Sequence, residues 1–201
     1  EDTDVVAAVR FFAEFIHDQA NSTRRIGLLL RGQDDLTDEN GLVFRDAFGY
    51  CRELFPITEQ DAARNLFDDL LQVVFQATGT GRLHAVHLTG SENEVGLRVG
   101  EGGEFFGVIN VVQAKKLWDL IEAAQDEAIV CRQHPFAQSL FDDIKRPQSK
   151  IRVLIGAKMF IEGWSCWRVS CMGLINIAKK EGSQVIQLFG RGVRLKGHDF
   201  C

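Results

Sequence analysis

The sequence lacks the features that would place it in a membrane or a secretory pathway. No run of about 18 apolar residues is present, so the 201-residue chain predicts no membrane span. Its first four residues, Glu-Asp-Thr-Asp, do not resemble a signal or transit sequence. We therefore expect a cytoplasmic protein without membrane contact. Because the chain lacks an initiating methionine and stops at Phe200-Cys201, we also expect both ends to lie within a longer protein.

Cysteine and histidine are too few and too scattered to indicate a metal site. The five cysteines are odd in number and lie mostly in apolar runs, which favours reduced, buried thiols. Cys166 and Cys171 are five residues apart with no second pair nearby, so they lack the spacing of a zinc site. His84 and His87 would face opposite sides of a strand, which also argues against a shared metal.

Charge is distributed unevenly along the chain. The formal net charge is −5, but residues 1–144 hold 12 Lys/Arg against 25 Asp/Glu. Residues 145–201 instead hold 11 Lys/Arg against 3 Asp/Glu. A basic C-terminal quarter on an acidic body indicates one face that meets an anion, either nucleotide or nucleic acid. The alternative is that the remainder of a longer protein carries compensating charge.

Apolar periodicity predicts alternating helices and strands. Helical spacing recurs at about residues 4–19, 44–51, 61–76, 113–124, 136–144 and 184–195. Continuous apolar runs predict buried strands at Arg25–Leu30, Ile151–Ile155 and Arg168–Ile177. Three β-like runs at Leu83–Thr89, Val95–Val99 and Phe105–Val111 predict a small antiparallel excursion over residues 83–111. The alternation predicts an α/β fold, with a mostly parallel sheet that has helices on both faces.

The glycine-rich stretch Gly100–Gly103 could be mistaken for a phosphate loop. It lacks the strand–GxGxxG–helix context and the final GK[ST] of such loops. The sequence therefore predicts a hairpin turn at this position.

The stretch Gln187-Leu-Phe-Gly-Arg-Gly-Val-Arg194 carries the strongest functional signal. In a helix, Gln187, Arg191 and Arg194 fall on one stripe, and Gly190 removes a side chain that would crowd it. One amide and two guanidinium groups that project together suit a polyphosphate, because arginine meets phosphate in a planar bidentate geometry. The alternative is a solvated helix face with two surface arginines.

Residues 150–196 closely resemble the second RecA-like lobe of superfamily 2 (DEAD/DEAH-type) helicases. More narrowly, they look like the helicase subunit of type III restriction enzymes. The family's last motif, Q-x-x-G-R-x-x-R, matches at Gln187, Gly190, Arg191 and Arg194. The preceding motif, a strand followed by a loop that ends in glycine, matches up to Gly163, and residues 92–111 resemble the β excursion of that subgroup.

The resemblance implies that residues 1–201 form a single RecA-like C-terminal lobe, a fragment of a longer protein. In this family two such lobes sandwich ATP, and the first lobe supplies the phosphate loop and the acid that binds Mg²⁺. The chain contains no G-x-x-x-x-G-K-[ST] and no DExH-type acid pair. It is therefore expected to be the C-terminal motor lobe of an ATP-dependent DNA helicase or translocase of restriction or phage-defence type. On its own, the fragment is expected not to hydrolyse ATP, although the full-length protein is expected to be a hydrolase.

The resemblance also implies a role for each motif residue. Arg194 is the candidate arginine finger, Arg191 would contact the phosphates or couple the lobes, and Gln187 would orient the attacking water or the γ-phosphate. Gly163 and Gly190 would allow close approach of the nucleotide. The expected nucleic-acid contacts are Gly156 and Lys158.

Two departures from the family pattern leave alternatives open. Ser165 stands where many relatives carry an acid, and Ala157 lies near a position where a hydroxyl is usual. The first alternative is a non-catalytic nucleic-acid-binding or interaction module derived from a helicase lobe. The second is an RNA helicase lobe, because both polymers are held by phosphate. Expected partners are the first RecA-like lobe, DNA (or RNA) and a modification or specificity subunit.

Overall fold

The helices and strands of the chain were obtained from a computed structural model that describes residues 2–31, 61–91, 93–135 and 138–156, together with Cys166, Arg168, Cys171 and Gly173. The helices are α1 (Asp2–His17), α2 (Gln19–Leu30), α3 (Ala62–Val73), α4 (Ala114–Ala123) and α5 (Leu140–Asp143). The strands are β1 (Leu83–Leu88), β2 (Glu94–Val99), β3 (Phe105–Asn110), β4 (Ile129–His134) and β5 (Val153–Gly156). No helix in this part of the chain is long and apolar enough to cross a membrane.

The five strands form one sheet in the order β4-β1-β2-β3-β5. Strand β2 pairs antiparallel with β1 and β3, whereas β1–β4 and β3–β5 are parallel pairs. Four strands therefore run in one direction, and β2 runs against them. The sheet and its helices confirm the α/β class. The three predicted strands over residues 83–111 and their antiparallel pairing are confirmed, but their place as a side excursion is wrong, because β1, β2 and β3 are the central strands of the described sheet.

One face of the sheet carries the larger apolar cluster. Helices α1 to α4 pack here against alternate residues of the strands. Phe67 and Phe106 are fully buried in this cluster, and each such side chain stabilises the fold by about 1.5–3 kcal/mol. Trp118 of α4 donates from Nε1 to the carbonyl of Ala85 at 3.1 Å. This buried hydrogen bond fixes α4 against the centre of β1.

The opposite face carries a smaller apolar cluster. Val86, Leu88 and Val108 of the strands pack here with Leu140 of α5 and with Ile144. The remainder of this face, near the start of β1, is polar. Helices on both faces in a RecA-like arrangement stay a prediction.

Helix α2 replaces a strand that the sequence predicts. The apolar run Arg25–Leu30 belongs to this helix, and Ile26 and Leu30 are buried one turn apart. A short apolar run cannot by itself distinguish a buried strand from a buried helix, because both faces of either element are then hidden. The residue before this helix favours helical structure. The side chain of Asp18 accepts from the backbone N–H of Asn21 at 3.0 Å and caps the helix.

Of the remaining elements, some predictions are confirmed, one strand was not predicted, and some lie outside the described residues. The helices at 4–19, 61–76 and 113–124 are confirmed as α1, α3 and α4, and a shorter helix, α5, lies within 136–144. The strand at Ile151–Ile155 is confirmed as β5 with shifted bounds, whereas β4 was not predicted. The helices at 44–51 and 184–195 lie outside the described residues. So does most of the strand at Arg168–Ile177, where Arg168 itself lies in a turn.

A β-bulge in the hairpin of β2 and β3 determines which face of the sheet each of two neighbouring phenylalanines occupies. Leu97 pairs with Gly107, but Arg98 pairs with Phe105, so Phe106 is the extra residue. Phe106 enters the larger cluster, where its ring meets Phe75 edge-on with centroids 5.0 Å apart. Phe105 instead packs on the smaller cluster, on the same face as Arg98.

The glycine-rich stretch is a hairpin turn, as predicted. It connects β2 to β3, and Gly100 has a φ of 71°, a backbone conformation that favours glycine. Gly103 is constrained differently, because a Cβ there would lie 2.1 Å from the carbonyl oxygen of Val99. A backbone oxygen cannot move away as a flexible side chain would.

Replacing Gly103 with alanine is expected to lower the free energy of unfolding by about 1–3 kcal/mol, since the turn must shift to admit the methyl group. Gly102→Ala is the matched control, because a Cβ at Gly102 would meet no atom within 4 Å. Urea unfolding of both variants checks the prediction. Equal stabilities for the two variants would contradict it.

Candidate functional site

The carboxyl ends of the parallel strands define one edge of the sheet. Strands β1, β3, β4 and β5 all end there, and β2 begins there. In open α/β sheets, ligands bind outside the carboxyl ends of the strands. At this edge Glu94 pairs with Asn110, and Asn110 pairs with Gly156. These three residues, called the edge row, lie side by side on three adjacent strands.

Glu94 joins the edge row to α5. The residue is only 2% exposed, and its carboxylate accepts from the hydroxyl of Ser139 at 2.5 Å and from the backbone N–H of Leu140 at 2.8 Å. A third, longer contact comes from the N–H of Phe141 at 3.4 Å. Ser139 in turn caps α5, because its hydroxyl accepts from the N–H of Asp142 at 3.0 Å. The buried carboxylate therefore holds the start of α5 against β2.

Asn110 presents an acceptor at the same edge. The residue is 5% exposed, and its Oδ1 has no hydrogen-bond partner in the described part of the chain. A buried acceptor without a partner costs about 1–3 kcal/mol. The oxygen is therefore, among the described residues, an unsatisfied acceptor buried beside the carboxyl edge.

Gly156 is the predicted site residue that the structure describes. It is exposed, ends β5 and pairs with Asn110, so its backbone is accessible at the carboxyl edge. The other predicted site residues lie outside the described residues: Lys158, Gly163, Gln187, Gly190, Arg191 and Arg194. The predicted grouping of these side chains therefore stays a prediction.

Arg168 connects the chain beyond β5 to the segment between α5 and β5. Its guanidinium donates to the carbonyl of Ile144 at 2.6 Å and to that of Ser149 at 2.9 Å. Longer contacts, both at 3.4 Å, reach the carbonyls of Arg146 and Ile151. A planar guanidinium with five N–H donors can serve several carbonyls at once, which an ammonium does with less geometric precision. The sequence offered no signal for this role, since it follows from tertiary contacts.

The two strand histidines face opposite sides of β1, as predicted. His87 lies near Trp118 of α4, with ring centroids 6.2 Å apart, and burial followed by the charge of Lys115 lowers its pKa. His84 lies on the other face, where burial is the main cause that lowers its pKa. Within the described ranges, no three His, Cys, Asp or Glu side chains are grouped in a way that could hold a metal ion.

Cys131 of β4 is unsuited to nucleophilic chemistry. Burial, assisted by the nearby charge of Glu122 and partly offset by Arg132, raises the pKa of its thiol to about 11. A thiol with such a pKa is almost entirely protonated near neutral pH. The described cysteines, Cys131, Cys166 and Cys171, form no disulfide with one another. Cys166 is buried as predicted, but Cys131 is only partly buried and Cys171 is exposed.

Comparison with known proteins identifies no relative. No family model matches the chain, and neither a curated protein nor a solved structure is significantly similar to it. Function must therefore be argued from the residues and from the geometry of the carboxyl edge.

Proposed function

We propose that the chain is the C-terminal motor lobe of an ATP-dependent DNA helicase or translocase. In this proposal it belongs to a protein of restriction or phage-defence type, similar to the helicase subunit of type III restriction enzymes. The observation that carries the proposal is the match to Q-x-x-G-R-x-x-R at Gln187, Gly190, Arg191 and Arg194.

The position of β5 supports a nucleic-acid contact at the carboxyl edge. The strand is parallel to β3 and ends at the exposed Gly156, which has no side chain to keep a phosphodiester from the backbone. Lys158 follows two residues later and supplies a positive charge for the same phosphate. This proposed contact requires only backbone and charge, and it is therefore independent of base sequence.

The roles proposed for the motif residues in ATP hydrolysis follow from charge. Negative charge spreads over the γ-phosphoryl oxygens in the transition state, so a cation brought from the opposite lobe lowers the barrier. Arg194 takes this role, Arg191 contacts the phosphates or couples the lobes, and Gln187 orients water or the γ-phosphate. The first lobe binds ATP and Mg²⁺ because this chain has no phosphate loop.

Two departures from the family pattern, at Ser165 and near Ala157, leave open a second candidate function, a lobe that binds nucleic acid without driving turnover. The intact Gln187, Arg191 and Arg194 argue against it. An RNA helicase lobe is the third candidate, because phosphate contacts do not distinguish the two polymers.

ATP hydrolysis by the full-length protein with different polymers tests these candidates. We expect turnover that single-stranded or duplex DNA stimulates and RNA does not, and no turnover from the isolated 201-residue chain. Stimulation by RNA alone would transfer the proposal to an RNA motor. No stimulation by any polymer, in a folded protein with a functional first lobe, would refute the motor function and favour the binding module.

A further inference from the structure

A group of cationic side chains lies on the face of the sheet that carries the smaller apolar cluster. His84 of β1 pairs directly with Arg98 of β2, and Val86 of β1 pairs with Arg132 of β4. Since side chains alternate along a strand, these residues share one face. Arg98 and Arg132 start from strands on either side of β1 and are offset by two residues along it, so they start about 12 Å apart, a distance that two long side chains can span.

The two arginines are not neutralised. Neither Arg98 nor Arg132 forms an ion pair with a carboxylate among the described residues, whereas Arg64 and Lys116 pair with Asp68 and Asp2. Solvent and the nearby carboxylate of Glu101 offset the two positive charges only in part, so an anion bound between them would be favoured.

Two buried polar atoms in this group also lack partners. The Nε of Arg98 and the Nδ1 of His84 make no hydrogen bond within the described part of the chain, and His84 is only 7% exposed. The guanidinium of Arg132 is exposed and, among the residues that the structure describes, donates only to the adjacent carbonyl of Cys131 at 3.3 Å. Hydrogen-bonding capacity is thus concentrated at one place on the sheet.

The ring of Phe105 fixes the position of Arg98. The guanidinium lies 5.5 Å from the ring centroid, and the β-bulge is what brings Phe105 onto this face. A guanidinium held by a ring loses less freedom when it binds a ligand. The guanidinium of Arg98 is therefore held in position before any ligand binds.

We propose that His84, Arg98 and Arg132 form a binding site for a phosphate group. Arginine binds phosphate through paired N–H donors, and the imidazole can add an N–H donor when neutral and a positive charge as well when protonated. The site lies near the start of β1, four residues before Leu88 and so about 13 Å from the carboxyl edge. It is thus separate from the edge row, and it does not depend on the proposed motor function.

The charges around His84 determine how it responds to a bound phosphate. Burial is the main cause of its lowered pKa, followed by the charges of Arg98 and Arg132, then by Glu101, which opposes them, and by Arg82. A phosphate between the arginines would oppose the lowering, because an anion favours the protonated imidazole. His87, on the opposite face, should not respond.

The first arm of the test measures the pKa of both histidines by NMR in the full chain. Inorganic phosphate should raise the pKa of His84 and leave that of His87 unchanged. A single-stranded oligonucleotide that has the same effect would identify a phosphodiester as the source. A response to inorganic phosphate or mononucleotide alone would identify a free phosphate. No response of His84 to any of these probes would overturn the proposal.

The second arm measures oligonucleotide affinity of the full chain by fluorescence anisotropy at several salt concentrations. Arg98→Gln with Arg132→Gln should weaken binding about tenfold near 0.1 M salt and reduce the salt slope by about one, as expected for one lost phosphate contact. The control removes two charges elsewhere, by Arg64→Gln with Lys116→Gln, and should leave the affinity nearly unchanged. If the first arm identifies a phosphodiester, equal losses in both double variants would refute a specific site. If it identifies a free phosphate, Arg98→Gln with Arg132→Gln must instead abolish the response of His84 to inorganic phosphate, and a retained response would refute the site.

Two further variants distinguish loss of the phosphate site from misfolding and from an effect of the C-terminal motif. Arg98→Lys keeps the charge but loses the fork of donors, so it should restore part of the affinity that Arg98→Gln loses. Arg194→Ala should leave the response of His84 to phosphate intact. A lost response in Arg194→Ala would mean that the phosphate is bound by the C-terminal motif instead.

Discussion

Replacing Arg194 with alanine in the full-length protein is expected to reduce DNA-stimulated ATP hydrolysis about 10³-fold or more. This is the magnitude by which an arginine finger accelerates phosphoryl transfer, because it stabilises charge that appears only in the transition state. The Michaelis constant for ATP should change far less than kcat, since most ground-state contacts belong to the first lobe. Steady-state kinetics at saturating DNA measure both quantities.

The choice of controls makes this result specific to Arg194. Arg194→Lys keeps the charge without the bidentate geometry and should remain strongly impaired. Arg64→Ala removes an exposed cation that pairs with Asp68 on α3, and it should retain nearly full activity. If Arg194→Ala lost no more activity than Arg64→Ala, the finger would have to be assigned to another residue, with Arg191 the first to test.

The fold could be predicted from the sequence wherever apolar spacing was unambiguous. In α1 the buried residues Val9, Ala13 and Ile16 repeat at helical spacing, which only one type of element explains. The run Arg25–Leu30 was misjudged because continuous apolarity has no period. Strand β4 was missed because only its first residues are apolar, whereas Arg132, Gln133 and His134 are exposed, as is usual at the edge of a sheet.

The arrangement of the sheet could not be predicted from local pattern. The alternation of residues 83–111 indicated antiparallel strands, but it did not show where those strands would lie. Their central position depends on β4 and β5, which join them from distant parts of the chain in parallel pairs. Pairing over such separations is decided by tertiary packing rather than by the spacing within one strand.

The candidate sites show the same contrast between what local sequence indicates and what only the tertiary structure shows. Gly156 was predicted as a nucleic-acid contact from the resemblance, and this role stays a prediction. Glu94 and Asn110 were missed, since nothing in their local sequence indicates that the two strand ends meet beside Gly156. His84 and Arg98 are 14 positions apart, and only the register of β1 and β2 brings them together. Sites of this kind become visible only when strand register is known.

Removal of the Glu94 carboxylate is expected to cause the largest loss of stability among substitutions near the edge row. In Glu94→Ala, the hydroxyl of Ser139 and the N–H groups of Leu140 and Phe141 lose a charged acceptor in a buried place. Leaving such donors without a partner should lower the free energy of unfolding by about 3 kcal/mol. Urea unfolding followed by circular dichroism measures the change, provided that the m-value stays constant.

Glu104→Ala is the matched control for the Glu94 substitution. Its carboxylate pairs with Lys150 at 3.1 Å, but both side chains are more than half exposed, so the loss should stay within about 0.5 kcal/mol. Glu94→Gln keeps one acceptor oxygen and should fall between the two. Faster hydrogen exchange at Leu140 and Phe141 in Glu94→Ala would locate the damage at α5. If Glu94→Ala and Glu104→Ala were equally stable, the buried carboxylate would not be what holds α5 to β2, and α5 would depend on the apolar contacts of Leu140 alone.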